Sequence, residues 1–154
     1  MNVLKTAEAL AAEVATRVKT CTVAQGSETD LGVSVFEGRR KVSDDMIPCA
    51  VVIEADDKPL AAKGFTLVEV AQRFVVFAYV PCDPANPNAA ARAAIRDLKR
   101  AIFRTNGRPD PRWGGTVREV EYLGRDIGPR ADGAAFVVAA VEFSVQYVED
   151  LSAP

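Results

Sequence analysis

Histidine is absent from all 154 residues of this chain, and its absence excludes several kinds of catalytic chemistry. Histidine-based triads, histidine–metal centres and ordinary imidazole acid–base catalysis each require a side chain that the chain lacks. Lysine and carboxylate chemistry remain available. The composition therefore argues against an enzyme, although it does not exclude every enzyme mechanism.

Cysteine is scarce as well, with only Cys21, Cys49 and Cys82 in the chain. Their odd number, their wide spacing and the lack of a Cys-x-x-Cys pair predict reduced thiols with a structural role. No apolar run approaches the roughly 18 residues of a membrane span, and the N-terminal stretch lacks the apolar centre of a secretory signal. We therefore expect a cytosolic protein with no membrane partner.

Neither sign of charge dominates the sequence, which has 19 basic and 21 acidic residues and a formal net charge of −2. Such a balance gives no overall attraction to nucleic acid or to anionic membranes. The hydrophobic share of 49% supplies enough apolar side chains for a sizeable core. Together with the length, it predicts a single domain over residues 1–154.

Periodic apolar residues predict two helices. In the first, they recur at spacings of three and four between Leu4 and Val18. The second begins with Asn86 as a capping side chain and Pro87 at the first helical position, and it runs to about Arg104. Its predicted buried stripe consists of Ala91, Ile95, Leu98 and Ile102.

Strand-like segments fill most of the remaining chain. The predicted strands cover residues 33–36, 49–53, 66–80, 116–123 and 134–147. The second strand is expected to end in the turn-like run at 56–59, and a loop at 105–115 holds the only tryptophan, Trp113, as an anchor. The order α-β-β-β-α-β-β predicts an α+β fold, with a mixed, mainly antiparallel sheet packed against two helices.

Two of the predicted strands are long for a domain of this size. They would span about 46–50 Å at roughly 3.3 Å per residue, whereas a compact domain of this length has a diameter of ~38 Å. Either these strands bend and bulge, or their ends project and need a neighbour to pair with. The strand lengths therefore favour self-assembly.

The ten residues at 124–133, Gly-Arg-Asp-Ile-Gly-Pro-Arg-Ala-Asp-Gly, are predicted to connect the last two strands. Their glycines and proline set an unusual backbone that presents the charged side chains. Arg125, Asp126, Arg130 and Asp132 are candidate contacts to another copy of the chain. Internal bracing by Arg/Asp pairs and binding of a phosphate ligand are the alternatives, but the run leads into a strand and lacks the helix dipole of phosphate loops.

Two other charge clusters bear on partners. Arg92, Arg96 and Arg100 give the second helix a candidate basic surface, which either meets phosphates or is solvated and salt-bridged. No aromatic residues interleave there to stack on bases, so sequence-specific nucleic-acid recognition is not expected. The acidic pairs at 44–45 and 56–57 fit solvated turns better than a metal site, since hard cations need several converging oxygens.

The sequence resembles the tail terminator, or tail completion, proteins of long-tailed bacteriophages and prophages. The similarity rests on the N-terminal helix, Val-Val-Ile-Glu at 51–54, Gln-Arg-Phe at 72–74, Asp-Leu-Lys-Arg-Ala-Ile-Phe at 97–103 and, above all, the run at 124–133. It extends over most of the chain and contains no catalytic signature.

This resemblance implies a homo-hexameric ring that caps the tail tube, ends its polymerisation and offers a docking face to the DNA-filled head. The implied partners are further copies of the chain, the tail tube protein and a head–tail connector or neck protein, while DNA passes through the ring without sequence recognition. The implied location is the head-proximal end of the virion tail, after assembly in the host cytoplasm. No enzyme activity, cofactor or metal is implied.

Two alternatives stay open at this point. Neck or head–tail joining proteins of the same phages have similar sequences at this level. From another class, a small phosphate-ligand-binding or hydrolytic protein would use Arg125, Asp126, Arg130 and Asp132.

Overall fold

The computed structural model describes residues 3–38, 40–62 and 64–154. Two α-helices and seven β-strands form its regular structure. The helices are α1 (Ala7–Lys19) and α2 (Pro87–Phe103). The strands are β1 (Val35–Glu37), β2 (Cys49–Ala62), β3 (Leu67–Pro81), β4 (Arg104–Thr105), β5 (Arg108–Pro109), β6 (Glu119–Ile127) and β7 (Phe136–Asp150).

Five of the strands form one sheet in the order β1-β2-β3-β7-β6. β1 runs parallel to β2, and all other neighbours in this sheet are antiparallel. β4 and β5, with two residues each, form a separate two-stranded hairpin between α2 and β6. The predicted α+β class and the order of the main elements are confirmed, and the small hairpin is an addition within the predicted loop.

Both helices pack against one face of the sheet, which we call the inner face. Leu10 and Val14 of α1, and the whole predicted stripe of α2, are buried in one core with the inner residues of β3 and β7. At the centre of this core, the rings of Phe74 and Phe143 stack with centroids 5.5 Å apart. Since burial of one such apolar side chain contributes about 1.5–3 kcal/mol, the inner face accounts for most of the driving force for folding.

The ends of the helices show why they begin where they do. α1 starts three residues later than Leu4 because the Thr6 hydroxyl caps it, accepting a hydrogen bond from the Ala9 amide at 3.1 Å. Pro87 opens α2 as predicted, but the Asn86 side chain makes no capping hydrogen bond. That part of the prediction is wrong, and the fixed φ of proline is what remains to start the helix.

The carbonyl end of α2 is closed by side chains from elsewhere in the chain. The Arg17 guanidinium of α1 donates to the carbonyls of Ala101 and Arg104 at 3.1 and 3.2 Å. The indole N–H of Trp113 donates to the Ile102 carbonyl at 2.7 Å, and its ring is buried. Trp113 is therefore the predicted anchor of the loop, and it satisfies a carbonyl that the helix itself leaves free.

Strand β2 is longer than the sequence predicts. The turn expected at 56–59 is absent, and β2 continues to Ala62, with register irregularities between Glu54 and Asp57 and between Pro59 and Ala61. β1 pairs only with the residues from Ala50 to Val52, so the rest of β2 is a sheet edge. A proline at an edge removes no ladder hydrogen bond, which is why this strand tolerates it.

Candidate assembly surface

The sheet face opposite the helices, which we call the outer face, carries a row of apolar side chains. Register places Ile53 beside Val75, Phe77 beside Ala140, and Tyr79 beside Val138. Each alternates with a residue of the buried inner face, and each is only partly buried. In the described part of the chain, no α-helix packs over this face, but Val51 and Cys49, which pair with Phe77 and Tyr79, are buried. The face is therefore open only in part, and its partly exposed apolar residues are a candidate interaction surface.

A depression of about 290 Å³ lies on the outer face. Val75, Phe77, Leu123 and Ala140 supply its apolar lining, and its charged lining residues are Arg125, Asp126 and Glu142. Leu123 reaches it because β6 contains a bulge there, between Tyr122 and Gly124 in the register with β7. A bulge redirects the side chains on its strand, and this one exposes a leucine beside the uncovered face.

Gly124 is the residue that the bulge requires. Its φ is +143°, a backbone conformation that L side chains rarely adopt. The sequence pattern predicts a loop that begins at this glycine, and that prediction is wrong, since β6 continues to Ile127. A glycine within an otherwise strand-like pattern is a known sign of a bulge, and this is the signal that the loop assignment overlooked.

The four charged candidates of the run at 124–133 are consequently divided between two places. Arg125 and Asp126 lie on strand β6, which is the exposed edge of the sheet, where they pair with Val141 and Ala140. By the alternation of a strand, Asp126 shares the outer face with Ala140. Arg125 belongs to the opposite face by register, but at this sheet edge it also lines the depression. Arg130 and Asp132 lie in the connection that follows β6.

Internal bracing by Arg/Asp pairs is not what holds this connection. None of the four candidates forms an ion pair with another described residue. Instead, one terminal nitrogen of Arg130 donates to the Ala134 carbonyl at 2.7 Å, and its buried Nε has no hydrogen-bond partner among the described atoms. The four side chains do not converge on one pocket, as a shared phosphate site would need.

The candidate basic surface of α2 is largely paired. The Arg96 guanidinium donates two hydrogen bonds, both 2.9 Å long, to the Glu28 carboxylate. The Arg100 guanidinium lies 3.3 Å from the same carboxylate. Hydrogen bonding from Arg96 lowers the pKa of Glu28 below its usual value. Arg92 is exposed and makes no ion pair with any residue that the structure describes. The salt-bridged alternative thus holds for two of the three arginines.

Asp97 is a structural residue whose role the sequence analysis did not identify. Its carboxylate is buried and accepts hydrogen bonds from the backbone amides of Glu28 and Thr29 at 3.0 and 2.8 Å, and from the Thr29 hydroxyl at 2.6 Å. It thereby fixes the loop that follows α1 and holds Glu28 beside Arg96. No sequence signal joins these residues, because they lie about seventy positions apart.

The remaining predicted features can be placed directly. Cys21, Cys49 and Cys82 are free thiols, as predicted, and burial raises the pKa of Cys21 to about 12. Asp56 pairs with Arg73, which also pairs with Glu142 across the outer face. Within residues 3–38, 40–62 and 64–154, no group of acidic or cysteine side chains is arranged to hold a metal ion. No helix in these segments has the length and apolar character that crossing a bilayer requires.

Comparison with solved structures shows a likeness in overall fold. The chain is similar to a chain in the virion of a native gene transfer agent particle, with a TM-score of 0.50 and 15% sequence identity. The similarity covers 88% of this chain and 95% of that one, so it concerns the whole fold and not a fragment. No protein-family model matches the chain, and no curated protein matches it in sequence. At this identity, the likeness shows a shared fold.

Proposed function

We propose that this chain is a structural protein of a phage-like virion, and that its role there is that of a tail terminator. In this proposal, copies of the chain form a homo-hexameric ring on the head-proximal end of the tail tube. The observation that carries it is the partly exposed apolar row on the outer face, in a chain whose fold resembles that of a virion component. A surface of this kind needs a protein neighbour, and in a ring each copy provides one.

The edges of the sheet support assembly of this kind. β6 is an edge strand of nine residues, and an edge strand pairs with another chain where its outward backbone groups are free. Its Val120 amide already donates to the Pro111 carbonyl at 2.7 Å, so the open part of the edge follows that residue. β1, at the opposite edge, is only three residues long. Two unlike edges favour head-to-tail contacts, which generate a ring when the rotation between copies closes.

The proposed mechanism combines recognition with blocking. One face of the ring contacts the last ring of tube subunits, while the other lacks the surface that would recruit another tube subunit and instead receives the neck or connector of the head. DNA passes through the opening without sequence recognition. The protein performs this role without catalysis or a cofactor, because the contacts alone determine where the tube ends.

The test is to combine mass measurement with a tube assay. Native mass spectrometry of the purified chain, alone and with tail tube protein, should give a hexamer, and electron microscopy should show it at tube ends. Tubes grown with increasing amounts of the chain should become shorter. A chain that stays monomeric at all concentrations and leaves tube length unchanged would overturn the proposal. A ring that binds a portal or neck protein but never the tube would instead support the joining-protein alternative.

A further inference from the structure

We infer that Phe65 of one copy inserts into the outer-face depression of the next copy, so that the contact between neighbours is head to tail. This inference deepens the proposed ring and rests on it. Two features of one chain carry it: a fully exposed aromatic side chain on a projecting hairpin, and a depression that is lined in part by apolar side chains and has no occupant from its own chain.

The projecting feature is the tip of the β2–β3 hairpin, of which the structure describes residues 58–62 and 64–67. Every described residue of this tip is exposed, and Phe65 has an exposed fraction of 106%. Leu60 and Leu67 are also exposed apolar residues of the tip. Isolated exposed apolar residues are ordinary, but a cluster of three at the end of a hairpin is typical of a binding surface.

The base of the tip is held by the sheet. β3 is paired with β2 on one side and with β7 on the other, and the last pair with β7 joins Leu67 to Asp150. Beyond that pair, the Leu151 amide donates to the Thr66 carbonyl at 2.6 Å. Ordering the base in advance lowers the conformational entropy that the tip loses when it binds a neighbour.

The depression has the size and the chemistry to receive this side chain. An aromatic ring fits a space of about 150 Å³, and the depression, which is open to solvent, measures about 290 Å³. Its lining offers Phe77 and Leu123 as contacts for an aromatic ring, and aromatic pairs contribute beyond their buried area. Phe65 is therefore a fitting occupant.

The charged side chains around the two features have both signs. Lys58 at the tip follows the exposed Asp57, and the depression is lined by Arg125 as well as by Asp126 and Glu142. Glu142 is already paired with Arg73. The proposed contact therefore rests on its apolar side chains.

The contact cannot form within one copy. Leu67 and Val75 lie on the same extended strand, and eight residues of strand separate their positions by roughly 26 Å. The tip therefore cannot fold back onto its own depression while β3 stays paired. Since each copy has one tip and one depression, the pairing is heterologous, and repeating it produces a closed ring or an open filament.

The first experiment is the substitution Phe65→Asp, measured by sedimentation of the full chain. We expect the ring to dissociate to monomers with an unchanged circular dichroism spectrum, since the side chain contributes nothing to the core. Val23→Asp is the matched control, because Val23 is an apolar residue that is 55% exposed at a distant place in the fold. It should assemble normally. Normal assembly of Phe65→Asp would overturn the inference.

The second experiment tests the partner of Phe65 by cross-linking. In a Cys82→Ala background, the pair Phe65→Cys and Leu123→Cys should give a ladder of covalent multimers with a short bis-maleimide. Each single variant should give none. A dimer from Phe65→Cys alone would indicate a tip-to-tip contact and overturn the inference.

The two proposals fail in different ways. If Phe65→Asp remains a hexamer that caps tubes, the tip contact is wrong and the proposed function stands. If the unmodified chain neither forms a ring nor binds tubes, the proposed function is wrong.

Discussion

Asp97 and Thr29 are joined by two hydrogen bonds to a single carboxylate oxygen, one from the Thr29 amide at 2.8 Å and one from its hydroxyl at 2.6 Å. The other oxygen accepts the Glu28 amide at 3.0 Å. A helix residue from the middle of the chain thus organises the loop after the first helix. This arrangement places Glu28 where Arg96 and Arg100 can reach it.

Replacing Asp97 with Ala should destabilise the fold by about 1–3 kcal/mol, because it leaves buried amides without an acceptor. Urea unfolding of the variant would measure the loss. Asp57→Ala is the control, since Asp57 is exposed and forms no hydrogen bond through its carboxylate with a described residue. Equal stability of the two variants would contradict the role assigned to Asp97.

Acid should weaken the Glu28 contacts. Hydrogen bonding from Arg96 lowers the pKa of Glu28 in the folded state below the ordinary value of 4.5. A carboxylate with a depressed folded pKa contributes stability above its unfolded pKa and loses it as the pH falls through the folded pKa. We therefore expect Glu28→Gln to show a smaller drop in melting temperature than the unmodified protein between pH 6 and pH 3. Identical drops would mean that the pair contributes nothing to folding.

Charge reversal in the run at 124–133 should affect assembly and leave the fold intact. Asp126→Lys and Asp132→Lys change exposed residues that form no ion pair with described partners. Truncating one partner of a buried intersubunit charge pair costs about 2–5 kcal/mol, so sedimentation should show weaker rings. Arg130→Glu is a poorer probe, because Arg130 also holds the Ala134 carbonyl. Rings of normal stability would remove this run from the interface.

The cysteines should be dispensable for assembly. Cys82 is a free, partly buried thiol whose sulfur donates weakly to the Ala134 carbonyl at 3.7 Å. Cys82→Ala should therefore form the same particles, and non-reducing gels of the unmodified protein should show no cross-linked species. A dimer band that disappears with reducing agent would contradict this prediction.

The elements that the sequence predicts well are those fixed by local periodicity. The stripe from Ala91 to Ile102 and the alternation of β3 and β7 appear as expected, because helices and strands with one buried face impose periods of 3.6 and 2 on their own residues. The elements predicted poorly depend on neighbours. Pro59 predicts the end of a strand, but β2 continues through it because this part of β2 is an edge of the sheet.

In the candidate site, too, local features can be predicted from the sequence and features that depend on neighbouring elements cannot. Arg125 and Asp126 could be selected by charge, but their opposite directions depend on a strand that continues past the bulge at Gly124. Glu28 and Asp97 acquire their roles only through tertiary contact. The uncovered outer face was beyond prediction too, since alternation alone does not reveal which side of a sheet the helices leave open.

The uncovered outer face has a consequence for how the stability of this protein should be measured. A sheet with helices on only one side leaves apolar surface partly exposed in the single chain. Any contact between copies that buries this surface stabilises only the folded chain. By mass action, the melting temperature should then rise with protein concentration. The thermal stability of this chain therefore depends on protein concentration, and a melting temperature should be quoted together with the concentration at which it was measured.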